Sequence, residues 1–247
     1  MIELDVRLHA LFRRSFPGIA LVPRQSVCGG RGEAAVDYAG IRREHGVTHG
    51  VFAGSLPGLY RAERDRPATR ARYLVPDPDA LAEWRERLAA LGPEPKVGVC
   101  WRSMLATAVR STYYAPLAAW EPLLGLSGIR FVSLQYDECR DELAAFRMRT
   151  GIEVWRPEDL DQMNDLDRAA ALIYALDAVV SAPTAVCMAA AALGVATLRV
   201  APSTCLIGRT RDHFFPTMRP LAPWGRPVDL PRELAKAAAV LPACLGR

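Results

Sequence analysis

Residues that could do chemistry fall at four places in the chain, each at the close of an apolar run. Arg102 and Ser103 follow K-V-G-V-C-W, with Arg110, Ser111 and Thr112 a few positions on. Gln135, Tyr136, Asp137 and Glu138 close and follow F-V-S-L-Q. Ser181 and Thr184 come after D-A-V-V, and Ser203, Thr204, Arg209, Arg211, Asp212 and His213 lie beyond V-A-T-L-R-V. Arginines grouped with hydroxyls suit an anionic ligand, because a guanidinium presents paired donors to phosphate oxygens. Thr184 opens an alanine-rich helix whose first turn carries only Ala185 and Val186. Free N–H groups and the positive end of the dipole can there be approached closely by a phosphate or diphosphate. The plain alternatives, Thr184 as an ordinary cap and Arg110 as a solvated cation, weigh equally on each residue alone. The shared placement at strand ends favours the phosphate.

These residues need a frame that gathers strand ends, and the chain from about Lys96 onward reads as one. K-V-G-V-C-W, I-R-F-V-S-L-Q, I-E-V-W, D-A-V-V-S and V-A-T-L-R-V are strands. Between them, P-L-A-A-W-E-P-L-L-G-L places Leu117, Trp120, Leu123 and Leu124 at helical spacing, and E-C-R-D-E-L-A-A-F-R-M-R-T-G is a helix ended by Gly151. D-L-D-R-A-A-A-L-I-Y-A-L and T-A-V-C-M-A-A-A-A-L complete the alternation. Strand–helix alternation predicts right-handed βαβ units, that is, a Rossmann-like parallel sheet with helices on both faces. Ligands of such sheets lie beyond the carboxyl ends of the strands, where the residues above fall.

The first ninety residues are less regular. D-V-R-L-H-A-L-F-R-R-S-F reads as a helix, I-A-L-V-P as a strand, and H-G-V-F-A-G-S-L as a strand running into a turn. P-D-P-D-A-L-A-E-W-R-E-R-L-A-A-L-G-P is a helix that Asp77 or Asp79 can cap and Gly92-Pro93 ends. The predicted organisation is a partial N-terminal α/β unit at 1–92, a sheet domain at 93–228 and a last amphipathic helix at 229–247.

Composition narrows the function. The 247 residues are 51% hydrophobic and 23% charged, an ordinary globular balance. No apolar run reaches the ~20 residues of a membrane span, and the charged N-terminus is no secretory signal, so the expected location is cytoplasmic. The six cysteines include no C-x-x-C pair, which argues against disulfides and zinc. His45 and His49 have a helical metal-ligand spacing, but Gly46 and Gly50 oppose a helix there. C-G-G-R-G lacks the order of a phosphate-binding loop, and no nucleophile-elbow pattern is present. A net charge of +4 suits an anionic ligand better than nucleic acid. A basic nucleic-acid module would rest on the cluster Arg61, Arg64, Arg66, Arg70 and Arg72 alone, which reads better as a solvated face.

The string K-V-G-V-C-W-R-S … V-R-S-T-Y-Y … F-V-S-L-Q-Y-D-E-C-R-D-E-L … A-L-D-A-V-V-S-A-P-T-A-V resembles the donor domain of GT-B glycosyltransferases. The group in question is bacterial, with tetratricopeptide repeats preceding a heptosyltransferase-like catalytic region, and some members modify flagellin. The likeness runs from about Asp5 to Pro227. It implies a fold that is the C-terminal half of a GT-B enzyme plus an incomplete N-terminal α/β domain. It implies transfer of a sugar from a CMP-, UDP-, GDP- or ADP-sugar to a protein or glycan, without metal or other cofactor. On this resemblance Arg102, Ser103, Arg110, Ser181, Thr184, Ala185 and Val186 would surround the donor phosphate, and Gln135 and Tyr136 would lie toward base or ribose. The base would come from Asp137, Glu138, Asp212 or His213. Many relatives read D-T-A-V-A-H where this chain has Pro183-Thr184-Ala185-Val186-Cys187-Met188, so an acid and a histidine are replaced. The family's opening strand and Gly-rich turn have no counterpart ahead of Met1, which leads to three expectations. A second chain completes the N-terminal domain, or the protein is a GT-B-like binding module that has lost transfer, or the chain is a fragment.

Overall fold

The computed structural model describes residues 1–25, 37–59, 71–104, 111–202, 206–207, 211–212, 214–222 and 227–246. The chain opens with β1 (Ile2–Leu4), α1 (His9–Ser15) and β2 (Leu21–Pro23), and the two strands pair in parallel with Ile2 opposite Leu21. α2 (Ala39–His45), α3 (Leu56–Leu59) and α4 (Pro78–Ala89) follow. Asp77 caps α4 by accepting from Asp79 N at 3.1 Å and Ala80 N at 3.0 Å.

The sheet domain then alternates as the sequence predicts. β3 (Lys96–Cys100) leads through a 3-10 turn at Leu117–Trp120 and α5 (Glu121–Leu124) to β4 (Arg130–Ser133). α6 (Arg140–Thr150), β5 (Val154–Trp155), α7 (Leu166–Tyr174), β6 (Ala178–Ser181), α8 (Ala185–Ala192) and β7 (Ala196–Arg199) come next. A small antiparallel pair, β8 (Leu206–Ile207) and β9 (Arg211–Asp212), precedes β10 (Met218–Pro220), and α9 (Leu230–Cys244) ends the fold. Six strands form one parallel sheet in the order β10-β7-β6-β3-β4-β5. Strand order reverses between β3 and β6, which makes that point the crevice of a doubly wound sheet.

Alternation along each strand divides the core in two. Val97, Val99, Trp101, Ala178, Val180 and Leu198 face α5 and α9, where Trp120, Leu123, Leu234 and Leu241 close over them. Cys100, Val132, Leu134 and Val179 face α7 and α8, and Leu11 of α1 and Trp84 of α4 join this second core. Each large side chain so buried contributes ~1.5–3 kcal/mol. Gly98 has no room for a side chain: a Cβ there would lie 2.5 Å from Leu134 Cδ1 and 2.7 Å from Leu176 Cδ1. α1 and α4, which the sequence assigns to an N-terminal unit, lie on α7 of the sheet domain. Trp84 Nε1 donates to Arg168 O at 3.1 Å, and Arg14 holds Asp167 at 2.7 Å and Asp77 at 3.1 Å. The 71–74 segment seals the other end of α8, with Tyr73 N and Leu74 N both donating to Ala192 O.

Three local readings differ. H-G-V-F-A-G-S-L forms no strand but a 3-10 turn at Ala53–Ser55 and the short α3; Phe52 is 82% exposed, and no described strand lies beside it in a sheet. β1 and β10 are strands the sequence reading did not anticipate, because three residues are too few to show a period. No helix among the described residues is long and apolar enough to cross a membrane, and no group of three or more His, Cys, Asp or Glu among them could hold a metal ion.

A candidate anion-binding crevice at the switch point

β3 and β6 end in register, Cys100 beside Ser181, so the segments after them rise side by side from the crevice. Arg102 and Ser103 stand on one side; Ser181, Thr184, Ala185 and Val186 stand on the other. β4 brings Gln135 to Asp137 alongside.

Thr184 occupies the N-cap of α8 but makes no capping hydrogen bond. Its side chain turns inward, 3.2 Å from Ser181 Oγ and 3.5 Å from Cys100 Sγ, and the residue is buried. Ser181 Oγ in turn donates to Ala182 O at 2.7 Å. Among the described residues no side chain accepts from the first turn of α8, which carries no acidic residue. Ala185 is exposed and Val186 half-buried, so the first turn itself presents only small side chains.

The floor of the crevice is a polar stitch centred on Gln135, which is fully buried. Its Oε1 accepts from Trp101 N at 3.1 Å and Arg102 N at 3.2 Å. Its Nε2 donates to Arg102 O at 3.0 Å and Asp137 Oδ1 at 2.6 Å. Both ends of the amide are thus spent on fixing the loops after β3 and β4, where the sequence suggests a contact to base or ribose. Tyr136 donates to Ser103 Oγ at 2.9 Å, and burial raises its phenol pKa. Cys100 lies beneath, its thiol pushed up to about 12 by burial, which makes it a packing residue rather than a nucleophile.

Arg102 does not point an unpaired guanidinium into the crevice. Nε donates to Asp137 Oδ2 at 3.1 Å and Nη1 to Glu142 Oε2, while the plane stacks over Trp101. Glu142, which the sequence does not mark out within its helix, also accepts from Leu117 N at 3.0 Å and Trp101 Nε1 at 3.1 Å. Arg156 is a second residue missed: after β5 it donates to Gln135 O at 3.4 Å and Asp137 O at 3.3 Å, clamping the loop from outside. Its position directly after a short strand was the available signal.

The acids proposed as bases are likewise engaged. Asp137 serves Arg102 and Gln135. Glu138 accepts from Arg140 N at 2.9 Å, a bond that lowers its pKa. Asp212 is buried and accepts from Phe214 N at 3.0 Å and Phe215 N at 3.1 Å, starting the turn into β10. Arg110, Ser203, Thr204, Arg209 and His213 lie outside the described residues, as does the side chain of Arg211. Two cavities, of about 290 Å³ at the amino end of β4 and about 270 Å³ beside α6 and β5, are lined by residues other than those that end β3 and β6.

A six-stranded parallel sheet with this order defines a doubly wound α/β domain. Comparison with known proteins agrees at the level of fold. The ADP-heptose LPS heptosyltransferase II of E. coli matches with a TM-score of 0.50 at 18% identity, over 73% of this chain and 55% of that one. A glycosyl transferase family 9 protein from Veillonella parvula covers 96% of this chain and 65% of its own at a TM-score of 0.45 and 12% identity. In sequence the chain is 34% identical to Protein FlbA of Caulobacter vibrioides over 223 residues, 88% of this chain and 37% of FlbA. It thus spans little more than a third of that relative's length. No protein-family model matches the sequence.

Proposed function

We propose that this chain carries the donor half of a glycosyltransferase that moves a sugar from a nucleotide sugar to a hydroxyl of a protein or glycan. The observation that carries the reading is the N-terminus of α8, left open at the switch point of a fold shared with a heptosyltransferase. In such a reaction the acceptor oxygen bonds to the anomeric carbon as the bond from that carbon to the phosphate oxygen breaks. The departing phosphate gathers negative charge, and aligned N–H groups stabilise charge that develops there. The reading assigns this role to the helix terminus and basic residues rather than to a metal. A protein such as flagellin would be one acceptor.

One observation favours a second reading, a GT-B-like binding module without turnover. Asp137 has both carboxyl oxygens engaged, by Arg102 and Gln135, and Glu138 Oε1 and Asp212 Oδ1 each accept from backbone N–H groups, so these acids hold local structure. Thermal melts with CMP, UDP, GDP, ADP and their sugar conjugates, followed by transfer assays, separate the two. A ligand at a hundredfold over its Kd stabilises by ~2.7 kcal/mol, so one nucleotide should raise the Tm clearly. Binding with turnover supports the transferase, and binding without it the module. A flat panel at millimolar concentration rejects the transferase and moves the module reading ahead.

A further inference from the structure

Arg199 closes β7 in register with Ser181. Leu198 and Val200 on either side of it face the α9 core, so Arg199 lies on the opposite face of the sheet, the one α8 covers. Because α8 runs back along β6 and β7 in a parallel crossover, its first turn lies over the carboxyl ends of both strands. Arg199 therefore emerges at the open end of the helix. Its Nη1 is 3.8 Å from the Sδ of Met188, one turn into α8, and methionine side chains on a helix lean toward its N-terminus. Nε of Arg199 is fully buried and has no hydrogen-bond partner. Arg14, Arg87, Arg102, Arg140 and Arg168 each hold a carboxylate, whereas no carboxylate among the described residues pairs with Arg199. A buried charged donor without an acceptor is costly, and a bound anion would relieve that cost.

We propose that Arg199 is the guanidinium that pairs with the donor phosphate at the head of α8, the role the sequence suggests for Arg102. Arg102 is consumed by Asp137 and Glu142; Arg199 is half-buried, meets Met188 Sδ through Nη1, and is paired with no carboxylate among the described residues. The inference rests on the nucleotide-sugar reading above and names its charge partner.

The test uses the full chain with Arg199→Met and Arg199→Lys, titrated with CMP, UDP, GDP, ADP and inorganic pyrophosphate. Arg199→Met should weaken the nucleotide or pyrophosphate that binds wild type by at least tenfold and flatten the salt dependence of binding. Arg199→Lys, which keeps the charge but not the fork, should fall between. Without ligand, Arg199→Met should melt at the wild-type temperature or above it, because it removes an unanswered buried donor. A structural arginine would behave in the opposite way, and a lowered ligand-free Tm overturns the proposal. Unchanged affinity in Arg199→Met, with wild type still binding, overturns it while leaving the transferase reading intact. Silence of wild type toward every probe rejects that reading and this one together.

Discussion

α7 and α8 are consecutive helices packed on the same face of the sheet, yet their N-termini are treated in opposite ways. Asp165 caps α7 by accepting from Arg168 N at 3.1 Å, and Asp167 in its first turn pairs with Arg14. α4 and α9 are likewise capped, by Asp77 and Asp229. α8 has a residue of capping type, Thr184, whose hydroxyl is turned into the core instead. The difference teaches that residue type at an N-cap does not settle its use. Partners beneath it do: Cys100 and Ser181 offer Thr184 a buried polar contact that Asp165 lacks. α8 can leave its end open because Cys187, Ala190 and Ala191 are fully buried and hold the helix without a cap. α7 is a capped helix that α1 and α4 pack on; α8 is held by burial with no cap from its own N-cap side chain.

Separating those two roles by mutation begins with the largest effect. Trp84 is fully buried against α7, bonded to Arg168 O, with the Arg87 and Arg168 guanidinium groups on its ring at 4.2 and 5.3 Å. Trp84→Ala should cost ~3–5 kcal/mol of stability, as truncation of a buried aromatic does. Denaturant unfolding measures it, and nucleotide affinity of the folded fraction should stay at the wild-type value. Lost affinity at low temperature, where the variant is still folded, would mean that support of α7 and presentation of α8 are one property.

The reverse manipulation gives α8 the acid that the other helices have. Ala185→Asp places a carboxylate where a phosphate is expected to sit. It should raise ligand-free stability by ~0.3–1 kcal/mol through the dipole and weaken nucleotide binding by about tenfold or more, ~1.4 kcal/mol. Calorimetric titration reads the second effect and thermal melts the first. Retained affinity would move the phosphate away from this terminus.

Much of this contrast could be read before the structure. V-V-S-A-P-T followed by alanines announces a buried strand, a turn and a small-residue helix, and β6 and α8 fall there. The strand-end rule brought Arg102, Gln135 and Thr184 to one crevice. Their partners were not legible, because Glu142 is twenty-five residues from Leu117 and forty from Arg102, and only folding juxtaposes them. Gln135 reads as a ligand-facing polar residue at a strand end, while its amide is wholly used in joining two loops. Arg199 was hidden for the converse reason. In V-A-T-L-R-V it reads as a strand interior, and only the sheet's alternation and the position of α8 show where its guanidinium emerges.

The smallest effect concerns the ion pairs that flank α7 and have no counterpart at α8 among the described residues. Arg87 holds Asp159 through two bonds, Nη1 to Oδ2 at 2.9 Å and Nη2 to Oδ1 at 2.7 Å. This pairing lowers the carboxyl pKa from 3.8 to about 2. A depressed folded-state pKa means that the contribution is complete above pH 4, is lost as pH falls from about 4 to 2, and is absent below. Both partners are partly solvated, so the contribution is at most ~1 kcal/mol. Asp159→Asn removes it at every pH. Melts of wild type and variant should therefore differ by a constant amount from pH 7 to 5 and converge by pH 2. Curves that stay parallel to pH 2 would show that Asp159 titrates alike in the folded and unfolded chain, and that α7 is held by Trp84 and its capping Asp165 without this pair.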